Sequence, residues 1–326
     1  MIALQYAQTG EPADVVAATD VAKPEPKAGE VRLRLRSSPI HNHDLATIRG
    51  RYGVKPPLPA IGGSELVATV DALGDGVTTL NVGQRVAGMV PNAWAEYSIA
   101  PAAMLAPIPD AIEDGAAAQL LAMPLSALVL VDELHVKSGD WIVQNAAGGA
   151  VGRIVSVVAQ KAGVNVINLV RRAASVEEVK SYGAKHVVDT SQEEWADRIR
   201  AIAGDAPIAR IVDSVCDAQS TVLNRLLGRN GEHVIFGALA GAPLKLDPGA
   251  LIFGETIVRG FWMVAWMKNA TNEQRMNATM RVFALAMSGE LPLPVAGTYS
   301  LREAKAALTA AEQPGRPGKV LFKGDA

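Results

Sequence analysis

The chain has 326 residues, 49% of them apolar and 20% charged, with a formal net charge of −2. That length exceeds what one hydrophobic core normally fills, so two domains are expected. The near-neutral balance argues against nucleic acid or an anionic membrane as a partner, and no apolar run approaches the roughly 18 residues that span a bilayer.

The N-terminal MIALQYAQTGEP predicts a strand and a turn. It carries neither the basic and apolar regions of a secretory signal nor an Arg/Ser-rich transit segment, so a cytoplasmic location is expected. EVRLRLRSSPI alternates apolar and polar positions like a half-buried strand. LVATVDALGDGVTTL, QRVAGMV and AWAEYSIA continue a strand-rich first hundred residues, with Gly- and Asp-containing turns between them. PIPDAIEDGAAAQLLAMPLSALVLVDEL then changes to helical spacing.

From Trp141 strands and helices alternate: WIVQNA, then a helix in VGRIVSVVAQKAG, then NVINLV, SVEEVKSYGA, HVVDT, EEWADRIRAIAG, ARIVDSV and HVIFGA. Five strands joined through helices imply parallel pairing with right-handed crossovers, hence a doubly wound sheet. Helices follow in NEQRMNATMRVFALAMSGEL and REAKAALTAAEQ, and a last strand, KVLFKG, is expected to return to the first domain. The fold class is therefore α/β. A doubly wound parallel (Rossmann) domain is expected over 121–264, and a discontinuous β-rich catalytic domain over 1–120 and 265–326.

WIVQNAAGGAVG places Ala147, Gly149 and Gly152 at the three positions of G-x-G-x-x-G, between a strand and a helix. Gly149 lets backbone approach a pyrophosphate, and Gly152 lets the helix pack closely on the strand. The helix N-terminus then offers unpaired N–H groups to phosphates. About 20 residues further on, where NAD-binding chains place an acid for the ribose hydroxyls, the second strand ends in Arg171 and Arg172. Two guanidinium groups and no carboxylate favour a 2′-phosphate, so NADPH is the expected cofactor.

Zinc needs a convergent set of Cys, His or carboxylate ligands. His41, His43 and Glu65 lie in SSPIHNHDLATIRG and AIGGSE, but LLAMPLSAL supplies only Met and Ser as further partners, so no metal is expected. The two histidines are expected to line a cleft or to be satisfied by local hydrogen bonds. The lone cysteine, Cys216, excludes an intramolecular disulfide and, following an apolar run, is expected to be a small buried hydrophobe.

SSPIHNHDLATIRGRYGVKPPLPAIGGSE, GDWIVQNAAGGAVG, VINLVRR and VRGFWMVAW resemble the NADPH-dependent 2-enoyl thioester reductases of fatty-acid synthesis, over nearly the whole chain. These form a zinc-free branch of the medium-chain dehydrogenase/reductases, close to the quinone oxidoreductases, with a GroES-like catalytic domain. The resemblance implies hydride transfer to the β-carbon of an α,β-unsaturated thioester, with Tyr52 as the catalytic residue. A phenol stays protonated at neutral pH and gives a proton without metal help.

The resemblance also implies the cofactor contacts. Gly148, Gly149, Ala150, Val151 and Gly152 would meet the pyrophosphate, and Arg171 and Arg172 the 2′-phosphate. Phe236, Gly237, Ala238 and Leu239 would line the turn after the fifth strand. Phe261, Trp262, Met263 and Val264 would flank the nicotinamide, with Lys319 near the C-terminal strand. A homodimer built by extending the dinucleotide-domain sheet at ETIVRGFWM is implied too. The chain departs from the family pattern in three places: Met123 stands before Pro124 where an Asn is usual, HNHD replaces NPSD, and Ala173 follows the arginine pair. The partner is therefore expected to be a small-molecule or acyl-thioester substrate. A quinone oxidoreductase, a zinc alcohol dehydrogenase relative and a non-catalytic NADPH-binding regulator are the alternatives.

Overall fold

In the computed structural model, which describes residues 1–324, the alternating apolar runs become strands of two separate units. One unit comprises Met1–Ala122 and the chain from Leu293 onward, the other Met123–Pro292.

The first unit is β-rich. Its strands are β1 (Ile2–Tyr6), β2 (Ala17–Asp20), β3 (Glu30–Pro39), β4 (Ala60–Ile61), β5 (Leu66–Leu73), β6 (Arg85–Gly88), β7 (Tyr97–Pro101) and β8 (Leu105–Pro107). β2, β1 and β4 form a small antiparallel sheet. β3 is the spine of the larger sheet, pairing antiparallel with both β5 and β7. Its inward positions Val31, Leu33 and Leu35 are buried and join Leu66, Ala68 and Val70 of β5 in one core. Period-2 alternation on β3 is thus the direct cause of its one-sided burial.

The second unit has β9 (Trp141–Gln144), β10 (Asn165–Val170), β11 (His186–Asp189), β12 (Ile208–Asp213), β13 (Leu227–Ile235) and β14 (Ile257–Gly260). All pair in parallel, in the order β11-β10-β9-β12-β13-β14. This is the doubly wound arrangement, with one strand, β14, beyond the five read from the sequence. Buried Val143, Ile167, Leu169, Val188 and Ile211 meet Ile199 and Leu223 from two of the helices in its core.

The chain re-enters the first unit at Leu293, not at residue 265 as expected. The reason is the helix Asn272–Met287, which buries Ala278 and Val282. Its Arg281 reaches Asp132 at 2.6 Å, and Glu290 just beyond it meets Lys161, both partners belonging to the parallel-sheet unit. Beyond it, β15 (Val295–Ser300) and β16 (Lys319–Lys323) pair in parallel, and β16 lies antiparallel to β3. KVLFKG therefore does return to the first unit. Among the described residues no helix is long and apolar enough to cross a membrane.

Candidate functional site

The carboxyl ends of the parallel strands gather most of the expected cofactor residues. β9 ends in Gln144, and the turn after it runs through Gly148 and Gly149 into the helix Ala150–Lys161, which contains Val151 and Gly152. A Cβ on Gly152 would lie 2.7 Å from the Ala146 carbonyl oxygen and 2.8 Å from the Ala147 Cα, so only glycine lets this helix approach the strand. Ala146 sustains the turn with φ 51, a left-handed conformation rare for alanine. Gly149 caps the helix without any side-chain hydrogen bond, which leaves the first-turn amides directed out of the turn.

Arg171 and Arg172 follow β10 directly and are exposed. Arg172 reaches only the Ser175 hydroxyl, at 3.4 Å, and no ion pair joins either guanidinium to a carboxylate among the described contacts. Phe236, Gly237, Ala238 and Leu239 form the turn after β13, and Phe261 and Trp262 follow β14, with Met263 and Val264 opening the helix Met263–Asn269. The Phe236 and Phe261 rings stack with centroids 6.1 Å apart. The structure thus brings together the turns after β9, β10, β13 and β14. Tyr52 and Lys319 belong to the other unit.

The switch point between β9 and β12 holds a polar hub that sequence reasoning missed. Asn145 donates to Asp213 at 2.6 Å and accepts from the Ser214 amide at 2.7 Å. Asp213 also accepts from the amides of Val215 and Cys216, from Ser220 and from His233. Burial pushes its carboxyl up, but the hydrogen bonds from His233, Ser220, Cys216 and Asn145 outweigh it and hold the group well below the usual carboxylate range. The signal was the polar residue ending an apolar strand, in WIVQN and again in IVD. Cys216 is buried, as expected, and burial raises its thiol to about 11.

In the first unit, the helix Asn42–Ile48 carries His43 and Asp44, and His41 immediately precedes it. His41 and Glu65 are both fully buried, with Nε2 to Oε2 at 2.8 Å. The second oxygen of Glu65 accepts from the amides of Leu121 and Ala122 at 2.6 and 2.9 Å. His43 Nε2 lies 2.6 Å from Ser64 Oγ, and Ser64 donates to Asp44 at 2.7 Å. His41 and His43 are thus each held by a local hydrogen bond.

Zinc does not fit this donor set. Glu65 has both oxygens engaged, and among the described residues no three His, Cys, Asp or Glu side chains converge. Lys319, at the start of β16, is buried with its ammonium 3.4 Å from the Ile40 carbonyl. Burial, then Arg316, lowers it to about 8 against the pull of Asp44 and Glu65. Tyr52 lies in the loop beyond the helix, half-buried, its ring 5.7 Å from that of His43.

Two family models match the chain: an alcohol dehydrogenase GroES-like domain at residues 27–110 and a zinc-binding dehydrogenase domain at residues 150–281. The human mitochondrial enoyl-acyl-carrier-protein reductase is 32% identical over 96% of this chain and 86% of its own length. The Arabidopsis thaliana protein of the same name is 28% identical over 89% of this chain and 79% of its own length. Among solved structures, the Escherichia coli quinone oxidoreductase complexed with NADPH superimposes with a TM-score of 0.90 at 25% identity, covering 99% of this chain and 100% of that one. A mycobacterial protein, Rv1454c, also complexed with NADPH, gives a TM-score of 0.87 at 29% identity over 99% of this chain and 100% of that one.

Proposed function

Because this chain belongs to the zinc-free branch of the medium-chain dehydrogenase/reductase superfamily, we propose that it reduces the activated C=C bond of a 2-enoyl thioester, with Tyr52 as proton donor. It is an NADPH-dependent oxidoreductase.

The residues at the strand ends fit the cofactor. The Gly149-capped helix, with its amides unserved by any side chain, would hold the pyrophosphate. Arg171 and Arg172, exposed and without carboxylate partners among the described contacts, would hold the 2′-phosphate. Bound NADPH supplies the hydride. Reduction of an enoyl thioester also needs a proton at the α-carbon and a donor for the charge that develops on the thioester oxygen. Tyr52, half-buried on a loop of the β-rich unit, has the chemistry for both, and no metal is needed for it.

The observation that carries the thioester reading is the 32% identity to a named enoyl-acyl-carrier-protein reductase over 96% of the chain. A second reading, quinone reduction, is supported by the fit to the Escherichia coli quinone oxidoreductase at a TM-score of 0.90. A homodimer belongs to either reading. β14 ends the parallel sheet, its Ile257 is 52% exposed and Phe253 of the preceding helix is 82% exposed, which suits continuation of the sheet across two copies.

The experiment is turnover at 340 nm with NADPH against trans-2-enoyl-CoA and quinone panels. Enoyl-CoA turnover that falls about 100-fold or more in Tyr52→Phe supports the proposal. Quinone turnover alone, indifferent to that change, overturns it in favour of the second reading.

A further inference from the structure

We propose that Asn145 is a positioning residue for the cofactor: its side chain fastens the glycine turn after β9 to the turns after β12 and β13, at the spacing that receives the pyrophosphate and nicotinamide half of NADPH. This rests on the reading of those turns as the cofactor site.

The chain of bonds is continuous. Asn145 is buried, and its own amide donates to the Val212 carbonyl at 3.2 Å, which extends the β9–β12 ladder into the first residue of the turn. Its side chain then engages two groups on β12 and the residue after it. Nδ2 donates to Asp213 Oδ1 at 2.6 Å, and Oδ1 accepts from the Ser214 amide at 2.7 Å. Ser214 passes the constraint on, since its carbonyl accepts from the Leu239 amide at 3.2 Å. The Asp213 carbonyl accepts from the Phe236 and Gly237 amides at 2.8 and 3.2 Å. A Cβ on Gly237 would lie 2.8 Å from the Ser214 carbonyl oxygen, so only glycine lets the turn after β13 pack this closely. One buried side chain thus ties three strand-end turns.

Two strained residues stand beside those bonds. Ala146, next after Asn145, has φ 51, and Cys216, whose amide donates to Asp213 Oδ1 at 2.9 Å, has φ 57. A non-glycine residue in the left-handed region is costly and persists only where its surroundings hold it. Asn145 and Asp213 supply that hold, one on each turn. A buried polar network in which the partners satisfy one another fixes a single geometry, which is what a phosphate-binding turn needs before its ligand arrives.

The arrangement is one-sided. Sheet order places β10 on one side of β9, and β12 and β13 on the other. Both side-chain bonds of Asn145 run toward β12, whereas Arg171 and Arg172 follow β10. The preceding residue, Gln144, serves the other direction, donating to the Gly152 carbonyl and to Asn168 of β10, both at 2.7 Å. The helix that carries Gly152 therefore stays docked when Asn145 is truncated. Asn145 should govern binding of the pyrophosphate and nicotinamide and leave the 2′-phosphate end alone.

The test compares wild type with Asn145→Ala. In cofactor-free protein, hydrogen–deuterium exchange of segments 214–217 and 236–240 should be faster in the variant, with β10 unchanged. Fluorescence titration should show the NADPH and NADH dissociation constants both rising about 10-fold, the loss expected for two buried hydrogen bonds. Adenosine 2′-phosphate, titrated by NMR, offers only the end that faces the arginines, and its dissociation constant should stay within about twofold. Should Asn145→Ala fail to fold, Asn145→Ser, which keeps one hydroxyl at the site, should give the same pattern at smaller amplitude. Equal losses for all three ligands, the mark of general damage to the fold, would overturn the proposal. Unchanged exchange with unchanged dissociation constants overturns the positioning role and leaves the cofactor reading of the turns standing. Faster exchange with unchanged dissociation constants overturns both, because the turns would then loosen without touching the cofactor.

Discussion

His41 and Glu65 form a fully buried pair, Nε2 to Oε2 at 2.8 Å, and the other Glu65 oxygen is closed by the Leu121 and Ala122 amides. Burial raises Glu65 to about 7, even though the Ala122 and Leu121 amides and the nearby His43 and Lys319 pull the other way. Its ordinary value is 4.5, so an unfolded chain releases this proton first as pH rises. Stability from Glu65 is present below about pH 4.5 and is lost as pH climbs through about 7. His41, depressed by burial, works in the opposite sense and loses stability as pH falls below 6.5.

Glu65→Gln removes the first effect and keeps His41. The melting temperature of the variant, relative to wild type, should therefore become more favourable from pH 5 to pH 8. A difference that stays flat across that range would show that Glu65 does not titrate in the folded protein.

The two arginines after β10 should discriminate cofactors. Arg171→Ala with Arg172→Ala should raise the NADPH dissociation constant about 10-fold or more and leave that of NADH within about threefold, because only the 2′-phosphate loses charge-assisted bonds. Both side chains are exposed, so stability should change by less than about 0.5 kcal/mol. Fluorescence titration of both cofactors checks the first point, and equal losses for the two would defeat the assignment.

Trp94 should be the costliest single truncation in the β-rich unit. It is fully buried, donates its indole N–H to the Pro39 carbonyl at 3.2 Å, and meets the Phe322 ring edge-on at 5.3 Å. A Cβ on Gly62 would sit 2.3 Å from its ring, and one on Gly63 2.4 Å. Trp94→Ala should cost about 3–5 kcal/mol in denaturant unfolding. Gly62→Ala should also destabilise, by about 1–3 kcal/mol, by forcing the ring out of place. A loss below about 1 kcal/mol for Trp94→Ala would mean that the cavity collapses or fills.

Some of this was legible along the chain. NVINLV is β10 residue for residue, and EVRLRLRSSP is β3, because a strand's alternation or apolar run is a local property. The glycine turn and the arginine pair were legible for the same reason: each is a short stretch whose chemistry depends on its own backbone. β14 was harder, since IVRG is a four-residue stretch with exposed ends and a partly buried middle that becomes a strand only by pairing with β13. The helix Gln219–Leu226, between β12 and β13, likewise takes its meaning from packing Leu223 into the sheet core.

Local order, then, determined the strand and helix sequence, the glycine turn after β9 and the positive charge that follows β10, since periodicity, glycine and charge act over a few residues. Tertiary structure alone decided that Asn145 meets Asp213, that Ser64 links His43 to Asp44, and that the helix Asn272–Met287 stays with the parallel sheet. Those contacts join segments far apart in the chain, and hydrogen bonds and burial depend on which groups the fold brings within about 3 Å, a distance that no spacing along the chain encodes.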